Sequence, residues 1–312
     1  MSWIFVAFLA YLFLVIANLF DKFLIDNVLP DSKTYTFISC LLSGLVFLAA
    51  PWFLQWPGTF WFSINILSGG IFVAALFTLY EALRRGEASR VLVLVGGLTP
   101  VFSVIFSLLF FKEHYTLAQW IGIVCLILGA IIIAFLPQQR NWLARVMAKL
   151  KITQNVKNSS LFLAIASAFF YSAYFLLTKY AYSTQPFTSA FLWSRLGAVF
   201  FVLLFLIKLK DRKTIIKTIK EPRKNKNNKF LVFVGQFFGA AGFILQNYAI
   251  FLGSVALVNA AQGMQYALLL IISTFLALTS PKLLKETFSW RIFLQKLLAV
   301  LIIGVGLYFI VI

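Results

Sequence analysis

Ten long apolar runs divide the chain, and they constrain its fold more than any other feature. They cover residues 3–20, 34–54, 59–80, 91–111, 117–136, 160–180, 187–207, 230–252, 255–279 and 292–312. Each is long enough to cross a hydrocarbon core of about 30 Å as a helix. The runs are continuous and do not alternate with polar residues, which favours helices over a closed barrel, the other fold that satisfies its backbone in lipid. The sequence therefore predicts an all-α membrane protein with ten transmembrane helices.

The composition supports this prediction. Hydrophobic residues make up 62% of the chain and charged residues 12%, whereas soluble domains are about 45–50% apolar. A soluble protein of 312 residues would need far more polar surface than this chain can supply. Ten spans and their short loops nearly fill the chain, so we expect no separate soluble catalytic domain.

Lys and Arg concentrate in two segments that separate apolar runs. The formal net charge is +18, and more than half of the 27 Lys and Arg residues fall in 137–159 and 208–229. Because these segments lie between hydrophobic spans, they predict contact with anionic lipid headgroups and no binding of nucleic acid. Segment 137–159 is interpreted either as a short helix in the headgroup region or as a solvated basic linker. Segment 208–229 contains Pro222 and is predicted to be a mobile, solvated loop.

The same charges predict an orientation. The loops that follow spans one, three, five, seven and nine carry nearly all of the loop Lys and Arg residues. The first of these loops runs from Asp21 to Lys33. The positive-inside rule then places these loops, including 137–159 and 208–229, in the cytoplasm and both termini outside. We expect a multi-pass protein of the inner or plasma membrane.

The two halves of the chain share an order of motifs. The first half contains Gly97-Leu-Thr-Pro100, then Phe111-Lys-Glu113, then Gly122 and Gly129; the second contains Gly263-Met-Gln-Tyr266, then Leu284-Lys-Glu286, then Ala299 and Gly306. Five spans in each half place the halves in opposite orientations, an arrangement found in secondary transporters. We therefore expect a first five-helix repeat at 1–136, a basic linker at 137–159 and a second five-helix repeat at 160–312.

Residues 81–129 resemble the EamA-type repeat of the drug/metabolite transporter superfamily, which has a short Ala-Ser segment, a Pro in the fourth span and a Lys-Glu before a Gly-rich fifth span. Lys179 and Arg195 are similar to positions in the second half of that family. The resemblance implies two inverted five-helix repeats around a central cavity that opens alternately to each side. Two features depart from it: Tyr266 stands where the first half has Pro100, and family members typically have cytoplasmic termini.

Ionisable residues at membrane depth are functional candidates, because burying them in lipid is unfavourable. Arg195 lies nine residues into the seventh run, where its guanidinium could hold a carboxylate or a phosphate. Its alternative roles are to bind backbone carbonyls or to extend toward the interface. Glu81 is a candidate proton-coupling carboxylate, with an ion pair to Arg84 or Arg85 as the alternative. Lys179 is interpreted as an interfacial anchor.

Uncharged polar residues cluster in spans eight and nine. Asn259, Gln262 and Tyr266 follow i, i+3, i+7 spacing and share one helix face, which predicts a stripe along a wet cavity. Hydrogen bonding between helices is the alternative. Aromatic residues could stack on a substrate or simply pack. The expected substrate-binding residues are Arg195, Trp193, Asn247, Asn259, Gln262, Tyr266, Tyr171, Tyr174 and Asn18.

A small-residue motif, Gly235-Gln-Phe-Phe-Gly239, permits close approach of two helices. We interpret it as packing within one chain, and both a monomer and a homodimer stay open.

The sequence favours a secondary transporter of a small metabolite over two alternatives. The chain lacks the catalytic residues that an intramembrane lipid-modifying enzyme would need, because His114 is the single histidine and no H-E-x-x-H or G-x-S-x-G motif occurs. We therefore expect no enzyme activity, no cofactor and no metal. A non-transporting scaffold or sensor stays open. No P-loop motif occurs, so transport would use an ion gradient, exchange or the substrate's own gradient. The sequence does not distinguish import from export.

Overall fold

A computed structural model describes most of the chain: residues 3–27, 31–86, 88–134, 154–220 and 227–265, with 268, 294, 297–298, 301–302, 304–306 and 308–309. This part is all-helical. Its α-helices are α1 (Trp3–Asn27), α2 (Ser32–Ser43), α3 (Ala50–Phe53), α4 (Thr59–Arg85), α5 (Ala88–Phe106), α6 (Leu117–Ala134), α7 (Gln154–Tyr182), α8 (Phe187–Leu203), α9 (Leu209–Lys220), α10 (Asn227–Leu252) and α11 (Val255–Ala260). Short 3₁₀ segments follow α2 at Gly44–Ala49 and α8 at Leu204–Leu206, and a π-helical turn follows α5 at Ser107–Phe111.

Seven helical segments of the described part are long and apolar enough to cross a membrane: Trp3–Asp21, Ser32–Phe53, Thr59–Arg85, Leu94–Phe111, Ser160–Tyr182, Phe187–Leu206 and Phe230–Leu252. A shorter apolar helix, Leu117–Gly129, corresponds to the predicted fifth span. The predicted ninth and tenth spans, 255–279 and 292–312, lie mostly outside the described residues. The described part is thus all-helical, as in a multi-pass membrane protein, and the count of ten spans stays a prediction.

Two segments expected to be loops are helical. The first loop was predicted to begin at Asp21. This start was wrong, because α1 continues to Asn27 and buries Leu24 completely. The prediction of a mobile loop at 208–229 was wrong over Leu209–Lys220, which form α9. A buried side chain, Ile215, holds α9 against the protein, and Asp211 forms an ion pair with Lys33 at 2.7 Å. These contacts order a segment whose composition alone is typical of a solvated loop. Most of segment 137–159 lies outside the described residues.

The helices pair between the two halves of the chain. The most extensive contacts join α1 to α10 and α4 to α7, and α8 packs against both α2 and α4. Glycines permit these contacts. On α10, Gly235 faces Phe20 and Gly239 faces Ala17 of α1. The interpretation of this motif as packing within the chain is therefore confirmed.

Helices α4 and α8 approach each other closely. A Cβ on Gly69 would collide with the backbone at Ser194 and Ala198, and one on Gly197 would lie 2.6 Å from the carbonyl oxygen of Ile66. The hydroxyls of Ser68 and Ser194 bond across the same contact at 2.9 Å. This contact fixes the register of α8 against α4 and places Arg195, the residue after Ser194, beside α4.

Many large apolar side chains are exposed on the outer surface, as expected where the surrounding solvent is lipid. Examples from four segments are Trp52, Phe60, Phe110 and Phe162. Buried serine hydroxyls on the inner faces instead bond to backbone carbonyls of neighbouring helices. Ser167 of α7 donates to Ala75 at 3.0 Å. The helices are therefore apolar outside and joined by small polar groups inside.

Candidate functional site

A cavity of about 310 Å³ lies between α1, α2, α4, α7, α8 and α10. This volume is in the range of small-molecule binding sites. Most of its walls are apolar, and its polar and charged lining comes from Asn18, Asp21, Ser39, Ser43, Tyr80, Tyr171, Arg195 and Gln236. Helices from both halves of the chain therefore enclose one small, mainly apolar space with a few polar groups.

Arg195 is the cationic residue of this lining, and only 1% of it is exposed. Four aromatic rings surround its guanidinium: the central carbon lies 4.0 Å from the ring centroid of Phe72, 5.0 Å from Phe243, 5.2 Å from Phe191 and 5.3 Å from Tyr174. Such rings attract a cation through the negative potential of their faces, most strongly where water is excluded. The aromatic residues therefore hold the guanidinium at the cavity.

A hydrogen-bond network fixes Arg195 from behind. Its Nη2 donates to the hydroxyl of Tyr174 at 2.9 Å, and that hydroxyl donates to Oδ1 of Asn247 at 3.0 Å. The hydroxyl of Tyr182 donates to the same Oδ1 at 3.1 Å, and Nδ2 of Asn247 donates to the carbonyl of Phe243 at 2.9 Å. Asn247 is fully buried, with partners on both sides of its amide. It therefore positions Tyr174, which in turn positions Arg195.

The charge of Arg195 has no counterion among the described residues. The ion pairs found there join Lys33 to Asp211, and Arg84 and Arg85 to Glu81. The Nε of Arg195 is buried without a hydrogen-bond partner. A buried cation without a counter-charge is unfavourable unless an anion or water compensates it. The arrangement can therefore bind an anionic group that enters the cavity.

Asp21 is the acidic residue of the same lining, and the sequence analysis missed it. The hydroxyl of Tyr35 donates to its Oδ1, and Nε2 of Gln236 donates to that hydroxyl at 3.2 Å. Tyr35 packs edge-on against Tyr80, with ring centroids 4.6 Å apart. Asp21 follows Asn18 by three residues, so both lie on one helix face, and this spacing could have revealed it.

Two other expected residues line the cavity, namely Asn18 and Tyr171. Tyr171 stands edge-on to Phe72 with ring centroids 6.3 Å apart, so it forms part of the aromatic wall around Arg195. The structure therefore brings Arg195, Asn18 and Tyr171 to one cavity, with Tyr174 and Asn247 directly behind.

The remaining expected binding residues do not line this cavity. Trp193 donates from Nε1 to the carbonyl of Gln55 at 2.9 Å and packs against Trp56. Asn259 donates to the hydroxyl of Ser103 at 2.8 Å, and Gln262 to Gln265 at 3.5 Å. For these side chains the structure favours the alternative of packing and hydrogen bonding. Tyr266 lies outside the described residues.

Glu81, the expected coupling residue, is held in an ion-pair network at the end of α4. Arg84 donates from Nε and Nη2 at 2.9 and 2.6 Å, Arg85 donates from Nε at 2.6 Å, and Ser32 donates as well. Glu81 is not part of the cavity lining. These contacts correspond to the alternative role, in which Glu81 forms ion pairs with Arg84 and Arg85.

A second polar cluster joins α7, α10 and the connection between α5 and α6. Nζ of Lys179 donates to the carbonyls of Ile250 at 2.9 Å and Gly253 at 2.6 Å, which satisfies the end of α10. Glu113 accepts hydrogen bonds from Ser254 and Tyr115. Burial is the main cause that raises the pKa of Tyr115, and its hydrogen bond to Glu113 is the second. The cluster ties together segments from both halves of the chain.

Comparison with known proteins identifies the family. Residues 1–135 match the EamA-like transporter family. A Sinorhizobium sp protein named "uncharacterized transporter in cobO 3' region" is 30% identical over 138 residues, which cover 43% of this chain and 96% of that protein. The chain belongs to the EamA-like transporter family. Its resemblance to the EamA-type repeat is thereby confirmed, and the protein is a multi-pass membrane transporter.

Two further matches concern this EamA-like transporter. An uncharacterized protein of Methanocaldococcus jannaschii is 41% identical over 69 residues, or 22% of this chain and half (50%) of that protein. A solved crystal structure aligns with 97% of this chain and 94% of its own, with a TM-score of 0.60 and 17% identity. At that identity the likeness concerns the fold alone.

Proposed function

We propose that this EamA-like transporter is a secondary transporter that carries a small metabolite through the cavity by alternating access, and that Arg195 binds an anionic group of it. One observation carries this proposal: a guanidinium that is 1% exposed, with no described counterion, lines a cavity of about 310 Å³. Carboxylate and phosphate match the planar guanidinium with two parallel hydrogen bonds. Substrate binding would therefore compensate a charge that has no counterion among the described residues.

The proposed roles of the other residues follow from their positions. Asn18 and Tyr171 line the cavity and contact the substrate, whereas Tyr174 and Asn247 position Arg195. Glu81 takes no part in coupling in this proposal, because two guanidinium groups already occupy its carboxylate.

Alternating access is supported by how the halves pair. In the proposed ten-span arrangement of two inverted repeats, α1 and α4 are the first and third spans of one half, and α7 and α10 those of the other. The pairs α1–α10 and α4–α7 are then equivalent under exchange of the halves. Lys179 and Glu113 bond the ends of helices from both halves. Breaking and remaking such contacts would open the cavity to the second side.

We also propose that α9 lies among anionic headgroups on the cytoplasmic side of the cell membrane. Its exposed side chains include Lys210, Arg212, Lys213 and Lys217, and its apolar Ile215 is buried against the protein. Basic residues near a membrane surface are attracted to anionic lipids and retained in the cytoplasm. Labelling of a cysteine placed in 221–226 from the outside of intact cells would contradict this orientation.

The function is tested with the full chain reconstituted in lipid vesicles. Carboxylates and phosphorylated metabolites are screened for uptake or exchange, first with the unmodified protein and then with Arg195→Gln. We expect the variant to lose at least nine-tenths of transport while melting like the unmodified protein. Arg212→Gln, which removes an exposed Arg outside the cavity, serves as the matched control. Normal transport by Arg195→Gln would overturn the proposed role of Arg195. No transport of any solute by the unmodified protein would overturn the proposal in favour of a scaffold or sensor.

A further inference from the structure

We infer that the cavity binds an elongated zwitterion, with an anionic end at Arg195 and an ammonium end at Asp21. This inference rests on the proposed function and names its substrate class. It adds a second charged subsite, formed by Asp21 and Tyr35, to the anion site at Arg195.

The Asp21 subsite is built to hold a cation. Its carboxylate lines the cavity, and the hydroxyl of Tyr35 donates to one of its oxygens. Gln236 donates to Tyr35 at 3.2 Å, so the phenol is held in that position. Among the described Lys and Arg residues, none forms an ion pair with Asp21. A carboxylate fixed by one donor, with no cationic partner among the described residues, is matched by an ammonium group.

The two charges of the cavity form no ion pair with each other, and their contacts with α4 place them apart along that helix. Phe72 contacts the guanidinium of Arg195, and Tyr80 contacts Tyr35, the hydrogen-bond partner of Asp21. Phe72 and Tyr80 are eight residues apart on α4. At about 1.5 Å per residue, Phe72 and Tyr80 are about 12 Å apart along the axis of that helix, and we infer a similar separation of the two subsites.

This separation selects the length of the ligand. A charge-assisted hydrogen bond takes about 2.8 Å at each end, which leaves about 6 Å between the charged ends of the ligand. An extended chain advances about 1.2 Å per bond, so at least about five bonds must separate the charges. The ammonium nitrogen and the carboxylate carbon of an α-amino acid are two bonds apart, and such a molecule cannot occupy both subsites.

The wall between the two subsites is apolar. Leu76 and Leu79 line it on α4, and Ala240 and Phe243 line it on α10. A methylene chain or a ring between the charged ends would bury its surface there. The site therefore matches an ω-amino carboxylate or a molecule with the same distribution of charge.

Four small probes test the inference on the full chain in lipid nanodiscs: 6-aminohexanoate, glycine, hexanoate and hexylamine. We expect 6-aminohexanoate to bind at least tenfold more tightly than each of the others by titration calorimetry. This comparison uses the unmodified protein, so it does not depend on the folding of a variant. Equal binding of glycine and 6-aminohexanoate would overturn the separation of the charges.

Variants then assign the two ends. Asp21→Asn should weaken 6-aminohexanoate at least tenfold and leave hexanoate unchanged, whereas Arg195→Gln should abolish binding of hexanoate. Asp211→Asn removes a carboxylate outside the cavity and is the control. If Asp21→Asn weakens hexanoate as much as 6-aminohexanoate, or weakens neither, the two-ended site is wrong while the anion site stands. If Arg195→Gln also leaves hexanoate unchanged, or no probe binds, the proposed function fails together with the inference.

Discussion

The guanidinium carbon of Arg195 lies 4.0 Å from the ring centroid of Phe72, on a neighbouring helix. This contact joins the charge of the cavity to the helix that also carries Tyr80, so the geometry of the site depends on the packing of α4.

Replacing Phe72 by Leu should lower stability and loosen Arg195. The substitution removes a desolvated cation–π contact and part of a buried ring, which together stabilise by about 1–3 kcal/mol. Thermal unfolding in nanodiscs should show a lower midpoint. Phe60→Leu on the same helix is the control, because Phe60 is exposed to lipid. This variant should unfold at the same temperature as the unmodified protein. Equal midpoints for the two variants would contradict the role of Phe72.

Adding a methyl group at Gly69 should disrupt the contact between α4 and α8. The new Cβ would collide with backbone atoms of Ser194 and Ala198, which cannot rotate away as a side chain can. Overpacking of this kind is destabilising by about 1–3 kcal/mol. Gly304→Ala is the matched control, because no atom of the described residues lies within 4 Å of its added Cβ. We expect a lower melting temperature and weaker substrate binding for Gly69→Ala only.

Asn247→Leu should destabilise the network behind Arg195. The buried hydroxyls of Tyr174 and Tyr182 would lose their shared acceptor, and each unsatisfied donor is unfavourable by about 1–3 kcal/mol. Adding Tyr182→Phe to this variant should restore part of the stability, because one orphaned donor is then removed. A double-mutant cycle measured by thermal unfolding gives the coupling. Additive effects would show that the two residues do not share this hydrogen bond.

Stability should fall at alkaline pH partly through Tyr115. Burial and the Glu113 hydrogen bond raise the pKa of its phenol above the ordinary 10.0. As the pH rises above about 10, the unfolded chain releases this proton while the folded protein retains it, so folding becomes less favourable. Tyr115→Phe should therefore show a shallower fall in melting temperature between about pH 9.5 and 11.5 than the unmodified protein. The same slope in both proteins would argue against the shift.

Hydrophobic patterning was sufficient to predict the membrane class and the positions of most helices, because a helix in lipid must be apolar over its whole length. It failed where a polar residue belongs to the protein interior. Asp21 resembles the start of a loop in sequence, yet α1 continues past it because its carboxylate meets Tyr35 from α2. Likewise, α9 is ordered by the distant contact of Asp211 with Lys33.

The candidate site was predictable only in part, because some of its polar residues stand out in an apolar span and others do not. Arg195 stands out because a charge at membrane depth is rare. Amides do not reveal their partners in the sequence, so Asn247, behind the cavity, and Asn259, bonded to Ser103, could not be distinguished from binding groups. Only the arrangement of helices from both halves decides which polar groups reach the cavity.

The presence of Arg195 and Asp21 in one cavity also bears on the electrical behaviour of the transporter. A membrane potential of 100 mV acts with about 2.3 kcal/mol on each elementary charge that crosses it. The fixed charges of the two residues cancel when the empty cavity changes sides, and a zwitterionic substrate adds none. Without a coupled ion, turnover with such a substrate would carry no net current across the membrane.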